Sequence, residues 1–128
     1  MVEAARGVHV IATPAGTNAV LIQDEAKAWW LLDPGCVLDA WVVLEAVSEL
    51  IGDDRPAGIL LSHGHWHVSG GAGELAKEWG CPVYCSAAEA PMVTGLIPYP
   101  PVDTTCHGIE ALKAKFKAEP SKIGRAHV

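Results

Sequence analysis

The amino-acid sequence predicts a layered α/β domain in which helices pack on a mixed sheet. Three strand-like segments come first, at residues 7–13, 17–24 and 28–33. An amphipathic helix follows at 37–51, and after it short apolar strands alternate with helices. The sequence shows no internal repeat and no change of composition that would mark a boundary, so its 128 residues are expected to belong to a single domain.

The first elements follow from local residue patterns. The polar stretch "DEAK" at 24–27 predicts a hairpin turn between the second and third strands. After the turn-forming "DPG" the apolar positions recur with the helical period of 3.6, and Val43 and Leu50 broaden this face. The periodic positions are Val37, Ala40, Trp41, Leu44, Val47 and Ile51. "ILLS" at 59–62 is a short apolar run typical of a strand buried in a parallel sheet.

The remaining elements continue the alternation of helix and strand. "GAGELAKEWG" at 71–80 predicts a helix closed by Gly80. A strand, "PVYCS", and a helical turn from Ala87 come next. A proline-rich surface loop is predicted at 94–105 and a last helix at 109–117. The order βββαβαβα is that of an α/β layered domain.

The composition argues against several classes of partner. The chain has 15 acidic and 9 basic residues, a net charge of −6 and no basic stripe, so nucleic acid is not expected as a partner. No apolar run approaches the roughly 20 residues that span a bilayer. The first residues lack the pattern of a secretion signal. We therefore expect a cytoplasmic chain with no membrane contact.

The four cysteines, Cys36, Cys81, Cys85 and Cys106, are expected to be reduced packing residues, as is usual in that compartment. Cys81 and Cys85 bracket a strand. Residues four apart in a strand are about 13 Å apart, which is too far for a disulfide.

The stretch "SHGHWHVSGG" at 62–71 carries the main chemical signal, because histidines occupy every second position. On a strand or the extended turn that leaves it, such residues project to one side. His63 and His65 would then lie together past the carboxyl end of a buried strand, where open α/β sheets bind ligands. Imidazole is a ligand for Zn, Fe, Ni and Cu, and a catalytic zinc usually has three protein ligands and one water. We predict His63 and His65 as metal ligands, with His67 as the third.

Several segments together resemble the amino-terminal half of the metallo-β-lactamase fold superfamily. They are "NAVLI" at 18–22, "WWLLDPG" at 29–35, the amphipathic helix and "ILLSHGHWHVSGG" at 59–71. The resemblance runs from about residue 7 to residue 101 and includes "APMVTGLIPYPP", which is similar to a segment of some bacterial hydrolases of this superfamily. Asn18 and the turn that begins at Asp33 match supporting positions. The resemblance implies half of an αββα sandwich.

The sequence departs from the family's H-x-H-x-D-H motif after Trp66. Without a gap, His67 replaces the aspartate and Val68 replaces the last histidine, while Gly70 and Gly71 stay in register. With one residue deleted, His67 is the last histidine and the aspartate is missing. Both alignments remain open, and the aspartate is absent from both. In the family, the Asp-His pair serves the second metal and positions the attacking water, so its loss is expected to impair that site.

The resemblance implies a metal-dependent hydrolase that cleaves an ester, thioester, lactone or similar bond of a small-molecule substrate with metal-activated water. Zinc is the expected metal, one or two ions in the full-length family, with iron or manganese as alternatives. The family's later ligands have no matching motif here; His107 is interpreted as a loop or helix-start residue. We therefore expect residues 1–121 to be the amino-terminal part of such a domain, without activity of its own.

The last residues, "KIGRAHV" at 122–128, suggest a non-native tail. They can be written as AAG ATC GGA AGA GCA CAC GTC, which from its second base resembles a common short-read sequencing adapter whose next codon is a stop. The truncation this implies would expose apolar faces through which an oligomer could form. The alternatives are a non-catalytic binding domain of the same fold and a three-histidine metal-binding module.

Four further residues have candidate roles. Asp33 is either an outer partner that orients a ligand histidine or a structural turn residue. Trp66 could line a substrate cleft. Ser62 and Ser69 flank the histidines without the spacing of a serine hydrolase. No catalytic residue is assigned.

Overall fold

The computed structural model describes residues 1–63 and 65–93, apart from the side chains at 66, 67, 92 and 93. The described part is a six-stranded mixed sheet with helices, as the sequence predicts. The strands are β1 (Val2–Ala5), β2 (Val8–Ala12), β3 (Asn18–Gln23), β4 (Trp29–Leu32), β5 (Gly58–Leu60) and β6 (Val83–Tyr84). The helices are α1 (Ala40–Ile51, preceded by a 3₁₀ turn at Val37–Asp39), α2 (Trp66–Ser69), α3 (Ala72–Trp79) and α4 (Ala90–Val93).

The strands lie side by side in chain order. β1 to β4 are antiparallel neighbours, whereas β4, β5 and β6 run parallel. The predicted hairpin between β3 and β4 is present: Asp24 and Ala28 face each other across it, and Lys27 takes a left-handed φ of 68°. The parallel order requires a helical crossover before each new strand, which α1 and α3 supply. The carboxyl ends of β4 and β5 consequently lie at the same edge of the sheet.

The core lies between one face of the sheet and helices α1 and α3. Leu21, Leu31 and Ile59 stand opposite each other in register on adjacent strands and are fully buried. Val47 of α1 and Leu75 of α3 cover them within the same cluster. Helix α3 ends as predicted, because Gly80 adopts the left-handed conformation that closes a helix. Cys85 joins this core, and burial raises the pKa of its thiol and that of Cys81.

One member of the predicted apolar face of α1 is wrong. Trp41 is 71% exposed, whereas Val43 and Val47 are buried as the pattern predicts, and Leu44 and Leu50 pack against the core. The sequence also gives no sign of β1, whose four residues are all exposed at the sheet edge.

Several predicted features lie outside the described residues: Cys106, His107, the loop at 94–105, the helix at 109–117 and the tail at 122–128. Among the residues that are described, no helix has the length and apolar character needed to cross a membrane.

Candidate metal centre

The candidate site is built from two loops that leave neighbouring parallel strands. One loop starts at Asp33, directly after β4, and the other carries Ser62 and His63, just after β5. Because β4 and β5 are parallel, both loops emerge at the same sheet edge. This is the place where α/β sheets position ligands.

Backbone hydrogen bonds tie the two loops and the start of α3 into one unit. The Asp33 N–H donates to the Leu60 carbonyl at 2.9 Å, and the Gly35 N–H donates to the Val68 carbonyl at 2.9 Å. The Gly71 N–H donates to the Gly35 carbonyl, also at 2.9 Å. A Cβ atom at Gly71 would lie 2.7 Å from the Cys36 carbonyl oxygen, so only glycine permits this approach. Gly71 therefore has a packing role.

The rings of His63 and His65 lie together, as the H-x-H spacing predicts. Their centroids are 4.8 Å apart and their planes are nearly perpendicular, at 85°. Because a Zn–N bond is about 2.0–2.1 Å long, two imidazoles on one tetrahedral zinc have their centres about 5 Å apart. The separation of the two rings therefore matches that of two imidazoles on one zinc, and imidazole nitrogen is a donor that zinc prefers.

A chain of hydrogen bonds connects Asp33 to His63 through Ser62. Asp33 Oδ1 accepts the Ser62 N–H at 2.8 Å, and Asp33 Oδ2 accepts the Ser62 hydroxyl at 2.6 Å. Ser62 Oγ in turn lies 2.9 Å from His63 Nδ1. Asp33 has a left-handed φ of 51°, a conformation that aspartate tolerates better than most residues. Asp33 is thus a turn residue that also contacts the residue before His63, and its role as an outer partner of a metal ligand stays a prediction.

His65 has a second role in the backbone, where it starts helix α2. Its carbonyl accepts the N–H groups of Val68 and Ser69 at 3.1 and 3.0 Å. The hydroxyl of Ser69 donates to the same carbonyl at 2.8 Å. These bonds fix the main chain at the position from which the imidazole projects.

The third predicted ligand, His67, is in α2 and not on an extended run. The alternation of side chains that unites His63 and His65 therefore ends at Trp66, where the helix starts. Within the described part of the chain, no group of three or more His, Cys, Asp or Glu side chains is arranged to hold a metal. The side chains of Trp66 and His67 are outside that part, so their predicted roles stay predictions.

Asp39 and Cys36 lie beside these loops and have structural roles. Asp39 is fully buried, and its carboxylate accepts the backbone N–H groups of Ala15 and Cys36, each at 3.1 Å. Burial, aided by the hydrogen bond to Asp39, raises the pKa of the Cys36 thiol. Cys36 therefore stays protonated at neutral pH, and a protonated thiol is a poor metal ligand or nucleophile.

Sequence reasoning missed the position of Ser62 between Asp33 and His63. It considered this serine only as a nucleophile of a hydrolase. The available signal was that a hydroxyl residue directly precedes the first histidine, while a carboxylate ends the neighbouring strand. Only strand pairing brings residues 29 positions apart within hydrogen-bonding distance.

The comparisons with known proteins agree with the fold. The sequence profile of the metallo-beta-lactamase superfamily matches residues 12–123. The chain therefore belongs to that superfamily. It is 33% identical over 101 residues to "Probable metallo-hydrolase YflN" of Bacillus subtilis (strain 168). This match covers 77% of the chain and 38% of YflN, so the chain spans well under half the length of that relative.

Solved structures of metallo-beta-lactamases share the fold. The MIM-2 metallo-beta-lactamase aligns with a TM-score of 0.61 at 26% identity, over 70% of this chain and 33% of that chain. A metallo-beta-lactamase of Cronobacter sakazakii, described by its HARLDQ motif, aligns with a TM-score of 0.59 at 25% identity. That alignment covers 73% of this chain and 38% of the other. Membership of the superfamily implies metal ions, usually zinc.

Proposed function

We propose that the chain carries one part of the metal centre of a metal-dependent hydrolase, with His63 and His65 as ligands and His67 as the third. The observation that carries the proposal is the 4.8 Å separation of the two imidazole rings at the end of a parallel strand. Zinc is the proposed metal, because two imidazoles suit its geometry and donor preference, and iron or manganese would use the same nitrogens.

The chain's own residues position this half-site. The loop after β5 carries both imidazoles, and hydrogen bonds from α2 fix the main chain of His65. Asp33 accepts a hydrogen bond from Ser62, whose hydroxyl also contacts His63 Nδ1. When bound, zinc supplies Lewis acidity and lowers the pKa of a bound water towards 7. We propose an ester, thioester, lactone or similar bond in a small molecule as the target.

The share of YflN that the chain matches supports a further part of the proposal. Residues 1–121 form the amino-terminal part of the domain, 122–128 are a non-native tail, and turnover requires the remaining ligands of the family. The chain alone therefore binds metal without turnover. We also propose that it is cytoplasmic.

A non-catalytic binding module of the same fold is the second candidate. The observation that favours it is the absence of the motif's aspartate, since His67 and Val68 occupy the positions after Trp66. A neutral ligand in place of a carboxylate would keep a metal while weakening the orientation of a nucleophile. This candidate predicts no turnover even when the rest of the domain is supplied.

A chimera separates the two candidates. The segment of this chain that matches YflN is joined to the part of YflN that follows it, and the product is assayed on ester, thioester, lactone and β-lactam substrates. YflN is the positive reference, and His63→Ala/His65→Ala in the chimera is the matched control. Turnover that the double substitution abolishes supports the hydrolase. A folded, zinc-loaded chimera that is inactive on every substrate YflN cleaves overturns it and leaves the binding module.

A further inference from the structure

The start of helix α1 carries a stripe of apolar side chains that the core does not use. Leu38, Trp41 and Val42 are 79%, 71% and 37% exposed. Their spacing of three and four residues places them along one side of the 3₁₀ turn and the first turn of α1. Single exposed apolar residues are normal on a protein surface, whereas a contiguous apolar patch is typical of an interaction site. The stripe is therefore a candidate contact surface.

A groove between α1 and α3 adjoins this stripe, with Trp41 as a lining residue of the groove. It encloses about 280 Å³ and is called the α1–α3 groove. Its bottom is apolar, because Leu75 is buried and Ala40 and Leu44 pack against the core. Pockets for small-molecule ligands usually measure about 300–1,000 Å³, so this groove suits one long side chain better than a whole substrate. Among the described residues that line it, none is a candidate metal ligand.

The exposed rim of the α1–α3 groove is acidic. Glu74 and Glu78 both line the groove from α3, and their spacing of four residues places them on the same helix face. Lys77 is exposed on the same helix but is not one of the described lining residues. Two neighbouring carboxylates repel each other, and a cation bound between them relieves this repulsion. The rim therefore favours a cationic partner and disfavours the phosphates of nucleic acids and anionic lipids.

We propose that the α1–α3 groove docks an arginine side chain of a partner protein, while an apolar residue next to that arginine covers the stripe. Arginine suits each part of the groove. Its aliphatic stem covers an apolar bottom, its guanidinium forms planar paired hydrogen bonds with carboxylates, and it stacks on an indole such as that of Trp41. Lysine has a more strongly hydrated ammonium and no planar fork, so arginine fits better. This site is separate from the histidine pair and does not depend on a bound metal.

The test uses the whole chain and the peptide acetyl-Leu-Gly-Arg-Gly-Leu-amide as the probe. The control peptide has citrulline, the uncharged analogue of arginine, at the central position. ¹H–¹⁵N spectra follow the indole N–H of Trp41, whose signal is assigned by its loss in Trp41→Gln. The test variant is Glu74→Gln/Glu78→Gln. Glu49→Gln is the matched control, because Glu49 is an exposed glutamate of α1 that is not among the described lining residues.

The arginine peptide should shift the Trp41 signal saturably in the wild type and in Glu49→Gln. Glu74→Gln/Glu78→Gln should weaken binding about three- to tenfold, because each exposed ion pair contributes modestly. The citrulline peptide should bind at least as weakly, and added salt should weaken binding of the arginine peptide. No shift of Trp41, or equal binding of both peptides, overturns the proposal.

Sedimentation velocity of the chain without peptide tests the other possible occupant, which is a second copy of the chain. A monomer at the concentrations of the titration is the expected result. Self-association that Trp41→Gln abolishes would assign the α1–α3 groove to a contact between copies and would overturn the assignment to a partner protein.

Discussion

The carboxylate of Asp33 accepts both the backbone N–H and the hydroxyl of Ser62, at 2.8 and 2.6 Å. These two residues end neighbouring parallel strands, and His63 comes directly after Ser62. The position of the first histidine is therefore set by a contact between strands and not by its own loop alone. The loop that carries the histidine pair is therefore anchored to the neighbouring strand, which is the kind of support that a metal site needs.

Gly71→Ala should destabilise the chain and weaken metal binding together. The new Cβ would lie 2.7 Å from the Cys36 carbonyl oxygen, which forces the loop that begins at Asp33 away from α3. Overpacking of this kind costs about 1–3 kcal/mol. Gly80→Ala is the control at the other end of α3: its left-handed φ of 62° costs about 1–2 kcal/mol, with no contact to the site. Urea unfolding and zinc competition measure both effects; equal zinc affinity in the two variants would contradict the role of Gly71.

His67→Ala should lower zinc affinity by at least about tenfold if His67 is the third ligand, since each protein ligand of a catalytic zinc contributes directly to binding. The measurement is a chelator competition on the metal-free chain. His9→Ala is the matched control, because the His9 ring packs against Trp29 on β4, with centroids 5.9 Å apart. Wild-type zinc affinity in His67→Ala would show that His67 is not a ligand, and only His63 and His65 would then remain as proposed ligands.

Two tryptophans on adjacent helices should respond to substitution very differently. Trp41 is 71% exposed, whereas Trp79 is 8% exposed within the core. Trp41→Gln should change the free energy of unfolding by less than about 0.5 kcal/mol. Trp79→Ala should cost about 3–5 kcal/mol. Urea unfolding gives both values, and a large loss in Trp41→Gln would show that α1 packs as the sequence pattern predicts.

Asp24→Asn should destabilise the chain at neutral pH but not in acid. Hydrogen bonds from the Trp30 indole and the Ala28 N–H hold the pKa of Asp24 below its ordinary value of 3.8. A group whose pKa is lowered by folding contributes stability above its unfolded pKa and loses it as the pH falls through the folded one. The difference between wild type and variant should therefore be constant at neutral pH and shrink below about pH 4.

Urea unfolding across this range is the measurement, with Asp53→Asn in the exposed turn after α1 as the control. If the difference in the free energy of unfolding does not depend on pH, the Asp24 hydrogen bonds stabilise the hairpin without any contribution from the charge of the carboxylate.

Local patterns were sufficient for most of the fold. The 3.6 period, the "DEAK" turn and the closing Gly80 each depend on neighbouring residues, and the structure confirms all three. The juxtaposition of His63 and His65 was also predictable, because residues two apart on extended chain share a side.

Features that depend on distant residues were not predictable in the same way. β1 is an exposed edge strand, "VEAA", whose Glu and Ala residues have low strand propensity, so only its pairing with β2 defines it. The exposure of Trp41 depends on how α1 lies on the sheet. The Ser62 contact with Asp33 depends on the register between β4 and β5. The change to helix at Trp66 likewise separates His67 from the extended pattern.

The most direct test of the metal centre is the metal content of the chain, purified without a histidine tag. Zinc, iron and manganese per chain are determined for the wild type, for His63→Ala/His65→Ala and for His9→Ala, with circular dichroism to confirm folding. We predict about one zinc in the wild type and in His9→Ala, as for a single site, and none in the double variant. A folded wild-type chain without metal, or a double variant that keeps its metal, would contradict the assignment of His63 and His65 as ligands.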